Sequence, residues 1–180
     1  MPMEQVLSVN QTNYAILRLL GHGKGGYSYL AEKDGQLCVL KQIHHEPCNY
    51  YTFGNKIQAE LNDYHRLVQA GIRIPKMLDI DLETERILKE YIVGPTVYNL
   101  VKEDALEESC LLQVRQMASQ AFAAGLNIDY FPTNFVFCHG LLYYIDYECN
   151  SYCDQWNFEN WGIRYWSKTP EFLDYMKQHP

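Results

Sequence analysis

Apolar and polar positions follow a short, strand-like rhythm over the first forty residues, then change period. Residues 14–20, 27–32 and 36–43 are brief runs rich in β-branched and aromatic side chains, separated by glycine-rich or Asp-Gly turn signals. Lys33-Asp34-Gly35 is a strong hairpin signal, so these runs are predicted to form an antiparallel meander. Over residues 56–70 the spacing becomes helical, with Ile57, Leu61, Tyr64 and Val68 on one side and Gly71 as the stop. Residues 76–81 and 86–92 read as two further strands. Gly94-Pro95 then breaks the chain.

Beyond that break, residues 108–124 carry the strongest helical pattern. Leu111, Val114, Ala118, Ala121 and Phe122 share a side, and Gly125 follows the end. A second hairpin is predicted from 135–138 and 141–146, turning at His139-Gly140. A two-residue turn there pairs Cys138 with Leu141, sets Asn134 opposite Ile145, and makes Asp146 its diagonal neighbour. The tryptophan-rich last thirty residues read as short helices, with Pro170 opening the final one.

Composition narrows the function classes. The 180 residues include 15 basic and 22 acidic side chains, a formal charge of −7, with 47% apolar and 21% charged residues. That is the profile of an ordinary globular chain, large enough for one compact domain or two small lobes sharing a cleft. An acidic balance argues against a general nucleic-acid binder. No stretch approaches the roughly 20 apolar residues of a membrane span, and the N-terminus lacks signal-peptide patterning. A cytoplasmic protein is expected. The six cysteines form no CxxC pair, so buried apolar residues or free thiols are expected rather than disulfides. His44, His45 and Cys48 lie close in sequence, as do Cys149 and Cys153, but neither set has structural-zinc spacing. The 15 tyrosines read as amphipathic filler for a small core.

Candidate chemistry sits at three places. Gly21-x-Gly23-x-x-Gly26 lies between two predicted strands, which fits a hairpin flap over a nucleotide better than the start of a dinucleotide-binding helix. Lys41 shares a strand face with Val39 and Ile43, so its ammonium needs a charged partner, and Glu60 on the following helix can turn inward to provide it. Asn134 and Asp146, brought together at the open end of the second hairpin, offer two oxygen ligands suited to Mg²⁺. Asp129, in the loop entering that end, can accept a hydroxyl proton or orient a nucleophile.

Taken in series, these residues resemble the protein-kinase-like superfamily over residues 14–148. Gly21, Gly23 and Gly26 look like its glycine-rich loop, Lys41 its third-strand lysine, and Glu60 the helix partner. Glu90-Tyr-Ile-Val-Gly94 looks like the hinge. Asp129 and Asn134 match D-x-x-x-x-N, and Asp146 matches the metal-binding aspartate.

The resemblance implies an α+β, two-lobed fold in a single domain over 1–180. An antiparallel N-terminal sheet with one helix would occupy about 1–92, a hinge about 90–95, and a much reduced, mostly helical C-terminal lobe about 96–180. It implies ATP and Mg²⁺ as cofactors, with ATP between the lobes. Lys24 would be an extra cation near the phosphates, and Glu90 and Ile92 would meet the adenine.

The departures are Asn127-Ile128-Asp129 in place of H-R-D, Asp146-Tyr147-Glu148 in place of D-F-G, no A-P-E segment, and only 32 residues after Glu148. The Asp146-Tyr147-Glu148 form is similar to that of aminoglycoside-phosphotransferase-like and lipopolysaccharide-kinase-like proteins, and the small size is similar to that of minimal atypical kinases such as the RIO-like group. The expected activity is phosphotransfer to a hydroxyl, leaning to an atypical serine/threonine protein kinase. A sugar or aminoglycoside-type small-molecule kinase, a nucleotide-binding regulator, and a scaffold that kept the fold without ATP are the alternatives. A protein partner completing the small C-terminal lobe is a further expectation.

Overall fold

The computed structural model describes residues 5–47 and 55–180. The chain is α+β and divides into two compact units, residues 1–62 with 75–91, and residues 63–74 with 92–180.

In the first unit, β1 (Val6–Val9), β2 (Thr12–His22), β3 (Gly26–Lys33), β4 (Gln36–Ile43), β5 (Met77–Asp81) and β6 (Arg86–Glu90) form one antiparallel sheet of order β1-β2-β3-β4-β6-β5. The predicted meander is present. Asp34 and Gly35 both take positive φ, 51° and 77°, the conformation a two-residue hairpin requires, and Lys33 pairs with Gln36. Strand β1 is an addition to the sequence reading. Its turn, Asn10-Gln11, also has positive φ at both positions (47° and 68°) without the usual glycine. Long-range hydrogen bonds hold it: the Asn10 amide donates to Asp81 Oδ2 (2.8 Å), and its side chain donates to Asp79 Oδ1 (2.8 Å) and the Ile80 carbonyl (2.9 Å). Val9, Ala31, Cys38, Leu40 and Leu88 form this unit's buried cluster.

Helix α1 (Lys56–Ala70) matches its predicted bounds, but its buried stripe ends on Leu67, fully buried, while Val68 is 51% exposed. The division between the units falls within this helix.

The second unit contains α2 (Val97–Lys102), α3 (Glu108–Ala123), β7 (Leu126–Ile128), β8 (Phe135–Cys138), β9 (Leu141–Tyr144), β10 (Cys149–Ser151) and α4 (Pro170–Gln178), with short 3₁₀ turns at Pro132–Asn134, Asp154–Trp156 and Gly162–Tyr165. Helix α3 buries Cys110, Val114, Met117 and Ala121, and leaves Phe122 outside, edge-on to Tyr152. Pro170 opens α4, and Thr169 Oγ1 caps it by accepting from the Phe172 amide at 3.2 Å. Phe135, Tyr144, Phe158, Trp166 and Phe172 belong to one large cluster, in which Trp166 Nε1 donates to the Tyr130 carbonyl at 2.7 Å. These aromatic residues give a short C-terminal segment enough apolar area to form a core.

Among the described residues, no helix is long and apolar enough to cross a membrane. The five described cysteines, 38, 110, 138, 149 and 153, are free thiols; Cys48 lies outside the described residues.

Candidate functional site

In the first unit, β2 and β3 meet in a tight glycine hairpin. His22 pairs with Tyr27, and the Gly23 amide donates to the Gly26 carbonyl at 2.9 Å. The glycines differ in what they do. A Cβ on Gly26 would lie 2.5 Å from the Gln42 carbonyl oxygen and 3.1 Å from Lys41 Cε, so only glycine lets β3 approach β4 there. At Gly21 and Gly23 a Cβ would meet nothing, and neither has positive φ. Their lack of side chain is therefore unexplained by packing and leaves the backbone approachable. Lys24 is exposed at the tip.

Lys41 and Glu60 form the expected ion pair, each side chain 13% exposed. It lies against the hairpin: a Cβ on Gly25 would be 3.9 Å from both Lys41 Nζ and Glu60 Oε1. Glu60 Oε2 is buried with no hydrogen-bond partner among the described residues. A buried carboxylate oxygen without a partner costs free energy, a cost offset in part by the ion pair that Oε1 makes with Lys41.

Lys56 escaped sequence reasoning. It is 5% exposed, and its ammonium donates to the His44 carbonyl and to the Lys24 carbonyl (3.3 Å). A lysine in the first turn of a helix reads as a solvated charge. Here it fastens the glycine hairpin to the end of β4.

The second unit assembles its own group. The β8–β9 register pairs Phe135 with Tyr144 and Cys138 with Leu141, and the Ile145 amide donates to the Asn134 carbonyl at 2.9 Å, as the two-residue turn requires. Strands β7 and β10 pair antiparallel with Ile128 opposite Cys149. Asp129 leaves one ladder where Glu148 enters it, and Asn134 and Asp146 stand at the end of the other. All three candidate residues, Asp129, Asn134 and Asp146, are half-buried.

Tyr144 links the two ladders. Its hydroxyl accepts from the Asp129 amide (3.2 Å) and donates to the Glu148 carbonyl (2.8 Å). The ring is fully buried, and desolvation raises its pKa well above the ordinary value, so it remains a phenol. Asp129 Oδ1 accepts from the Phe131 amide at 3.1 Å, which fixes the carboxylate's orientation. Asn134 Nδ2 donates to the Asp129 carbonyl at 3.4 Å, which leaves the amide oxygen as its acceptor atom. Asn134 and Asp146 thus supply hard oxygen donors of the kind Mg²⁺ takes, one or two from protein and the rest from water and phosphate. In that chemical sense the residues fit the ion.

Ile128, Asn127 and Tyr147, where the sequence differs from the motifs it resembles, are buried. Ile128 is 3% exposed in the main cluster, where an arginine could not be solvated. Asn127 is 6% exposed, and its Nδ2 donates to the Cys153 carbonyl at 2.8 Å. Tyr147 is buried against Tyr64, ring centroids 4.8 Å apart.

Glu90 and Ile92 fall on either side of the division between the units. Glu90 is exposed, and its amide already donates to the Lys76 carbonyl at 2.9 Å, so that N–H is not on offer to an adenine; Ile92 is half-buried. No family model matches the chain, and no curated protein is significantly similar to it.

Proposed function

We propose that the chain is an ATP-dependent phosphotransferase with a hydroxyl acceptor, of the small atypical kinase type. The observation that carries this reading is the Lys41–Glu60 ion pair set against the glycine hairpin, formed by residues 19 positions apart. A cation held by a carboxylate against a glycine hairpin without side chains at Gly21 and Gly23 suits a phosphate group.

In this reading the glycine hairpin covers the triphosphate, Lys41 neutralises its charge, and Lys24 adds a second cation. Asp129 would orient the acceptor hydroxyl, and Asn134 and Asp146 would hold Mg²⁺. When bound, the ion neutralises charge developing on the phosphate oxygens. The acceptor oxygen attacks the γ-phosphorus, the bond to the β–γ bridging oxygen breaks, ADP departs, and the acceptor proton passes to the Asp129 carboxylate and then to water.

Tyr144 is a positioning residue that keeps Asp129 in register. Glu148 leads straight into β10, which leaves no length for an activation segment between them. That supports an enzyme without phosphorylation switching. The fold type leaves both protein and small-molecule hydroxyls open as acceptors; a serine or threonine side chain is the favoured one.

The test is incubation with γ-labelled ATP and Mg²⁺, following free phosphate and labelled protein. Wild type is expected to turn over. Asp129→Asn should retain an ATP-dependent thermal shift while losing about 10²-fold or more of the rate, and Lys41→Ala and Asp146→Ala should lose it as well. A thermal shift with no turnover in any condition would favour a nucleotide-binding regulator. No thermal shift at all would overturn the reading.

A further inference from the structure

The rim of the glycine hairpin carries a second cluster that phosphotransfer does not use. His22 ends β2, and His44 and Glu46 follow β4, so three ligand-bearing residues meet across the intervening strand β3. Their ligand atoms all lie within 4.8 Å of one another. His22 Nε2 is 3.0 Å and His44 Nε2 3.4 Å from Glu46 Oε2. Bonds of about 2.0–2.1 Å around a tetrahedral zinc put neighbouring ligand atoms about 3.3–3.4 Å apart. The observed separations bracket that edge.

We infer that His22, His44 and Glu46 form a binding site for a zinc-class divalent cation, which ties β2 to the end of β4 at the mouth of the glycine hairpin. Two imidazoles and one carboxylate select a borderline metal such as Zn²⁺ over Mg²⁺, which prefers an all-oxygen shell. The fourth position is left to water, since the side chains of His22 and Glu46 are about half exposed.

The surroundings hold the ligands ready. The Tyr27 hydroxyl donates to Glu46 Oε1, leaving Oε2 for the cation, and the His22 ring stacks on the Tyr27 ring at 4.3 Å and 10°. In the metal-free chain His44 Nε2 lies 2.8 Å from the Gly23 carbonyl and its Nδ1 accepts weakly from the Glu46 amide at 3.3 Å. The cation takes the place of the Nε2 proton, so the bond to the Gly23 carbonyl is given up, and with the proton moved to Nδ1 the weak bond from the Glu46 amide goes as well. His45, adjacent in sequence, is not part of the set: it turns to Glu85, 2.8 Å away.

The test is titration of the metal-free full chain with Zn²⁺ alone, without nucleotide, by calorimetry, backed by Co²⁺ absorption spectra. One equivalent should bind with micromolar or tighter affinity. His22→Ala, His44→Ala and Glu46→Gln should each weaken it at least about tenfold, while His45→Ala leaves it unchanged. Circular dichroism of the metal-free variants verifies that they are folded, and His22 and Glu46 are exposed enough to be replaced safely. Co²⁺ should give visible tetrahedral bands without a thiolate charge-transfer band. Absence of binding, binding that survives His22→Ala and Glu46→Gln, or a thiolate band would overturn the assignment. None of these outcomes depends on whether the chain turns over ATP.

Discussion

The buried hydroxyl of Tyr144 accepts a hydrogen bond from the backbone amide of Asp129 at 3.2 Å. The same hydroxyl donates a hydrogen bond to the Glu148 carbonyl, so one phenol sets the spacing of two loops. Tyr144→Phe keeps the ring's packing and strips both bonds, leaving a buried donor and acceptor unmet. The expected loss is about 1–3 kcal/mol in urea unfolding. In the phosphotransfer assay kcat should fall while the apparent affinity for ATP is unchanged.

Lys41→Met should leave Glu60 as a half-buried carboxylate without its cation. A destabilisation of about 2–3 kcal/mol is expected, with much of it recovered in the double variant Lys41→Met/Glu60→Gln. Urea unfolding of the four proteins measures this coupling. ATP binding should be lost in both Lys41 variants regardless of that recovery.

The hairpin glycines should separate by role. Gly26→Ala forces a methyl to 2.5 Å from the Gln42 carbonyl, so a loss of about 1–3 kcal/mol is expected. Gly23→Ala meets no protein atom and should change stability by less than about 0.5 kcal/mol, yet weaken ATP binding by crowding the phosphates the hairpin covers. A Gly23→Ala protein with unaltered ATP affinity would remove Gly23 from the cradle.

Lys56→Met should free the carbonyls of Lys24 and His44. Amide hydrogen exchange of residues 23–26 should quicken relative to the strands of the same sheet.

Alkaline pH should destabilise the protein before the lysines titrate. Burial pushes the thiols of Cys110 and Cys149 up to about 11, whereas unfolded thiols ionise near the ordinary value of about 9. The unfolded state then binds fewer protons than the folded one, so stability falls with rising pH. The stabilisation is complete below about pH 9 and lost as pH climbs through about 11. Urea midpoints at pH 8, 9 and 10 should decline in order, and less so in a Cys110→Ala/Cys149→Ala protein. Exposed Cys153 should react with iodoacetamide in the folded state while Cys110 does not.

What could be read from the sequence was what local chemistry dictates. His139-Gly140 fixed the turn of the second hairpin, and the turn fixed which residues face each other, so the meeting of Asn134 with the strand before Asp146 followed from counting. The Lys41–Glu60 pair followed from a lysine on an apolar strand face. Strand β1 and helix α2 are too short, four and six residues, to show a period, and Asn10-Gln11 lacks the glycine that marks such a turn. The α1 and α3 stripes were placed a residue off at Val68 and Phe122 because both helices also have a rim where an apolar side chain can sit in water. Tyr144 was hidden among 15 tyrosines, and Lys56 among surface charges. His22 and His44 lie too far apart for any ligand spacing to announce them.

The order β4-β6-β5 has a consequence for synthesis on the ribosome. Strand β6 is inserted between two strands made earlier, so the inner edge of β4, with Cys38, Val39 and Leu40, has no neighbour until residue 90 has been added. About 45 residues separate the end of β4 from that moment, a few seconds at about 5–20 residues per second. For that interval the nascent chain presents an apolar, unpaired edge. Until β6 pairs with it, nascent-chain chaperones rather than the fold itself are its natural protection.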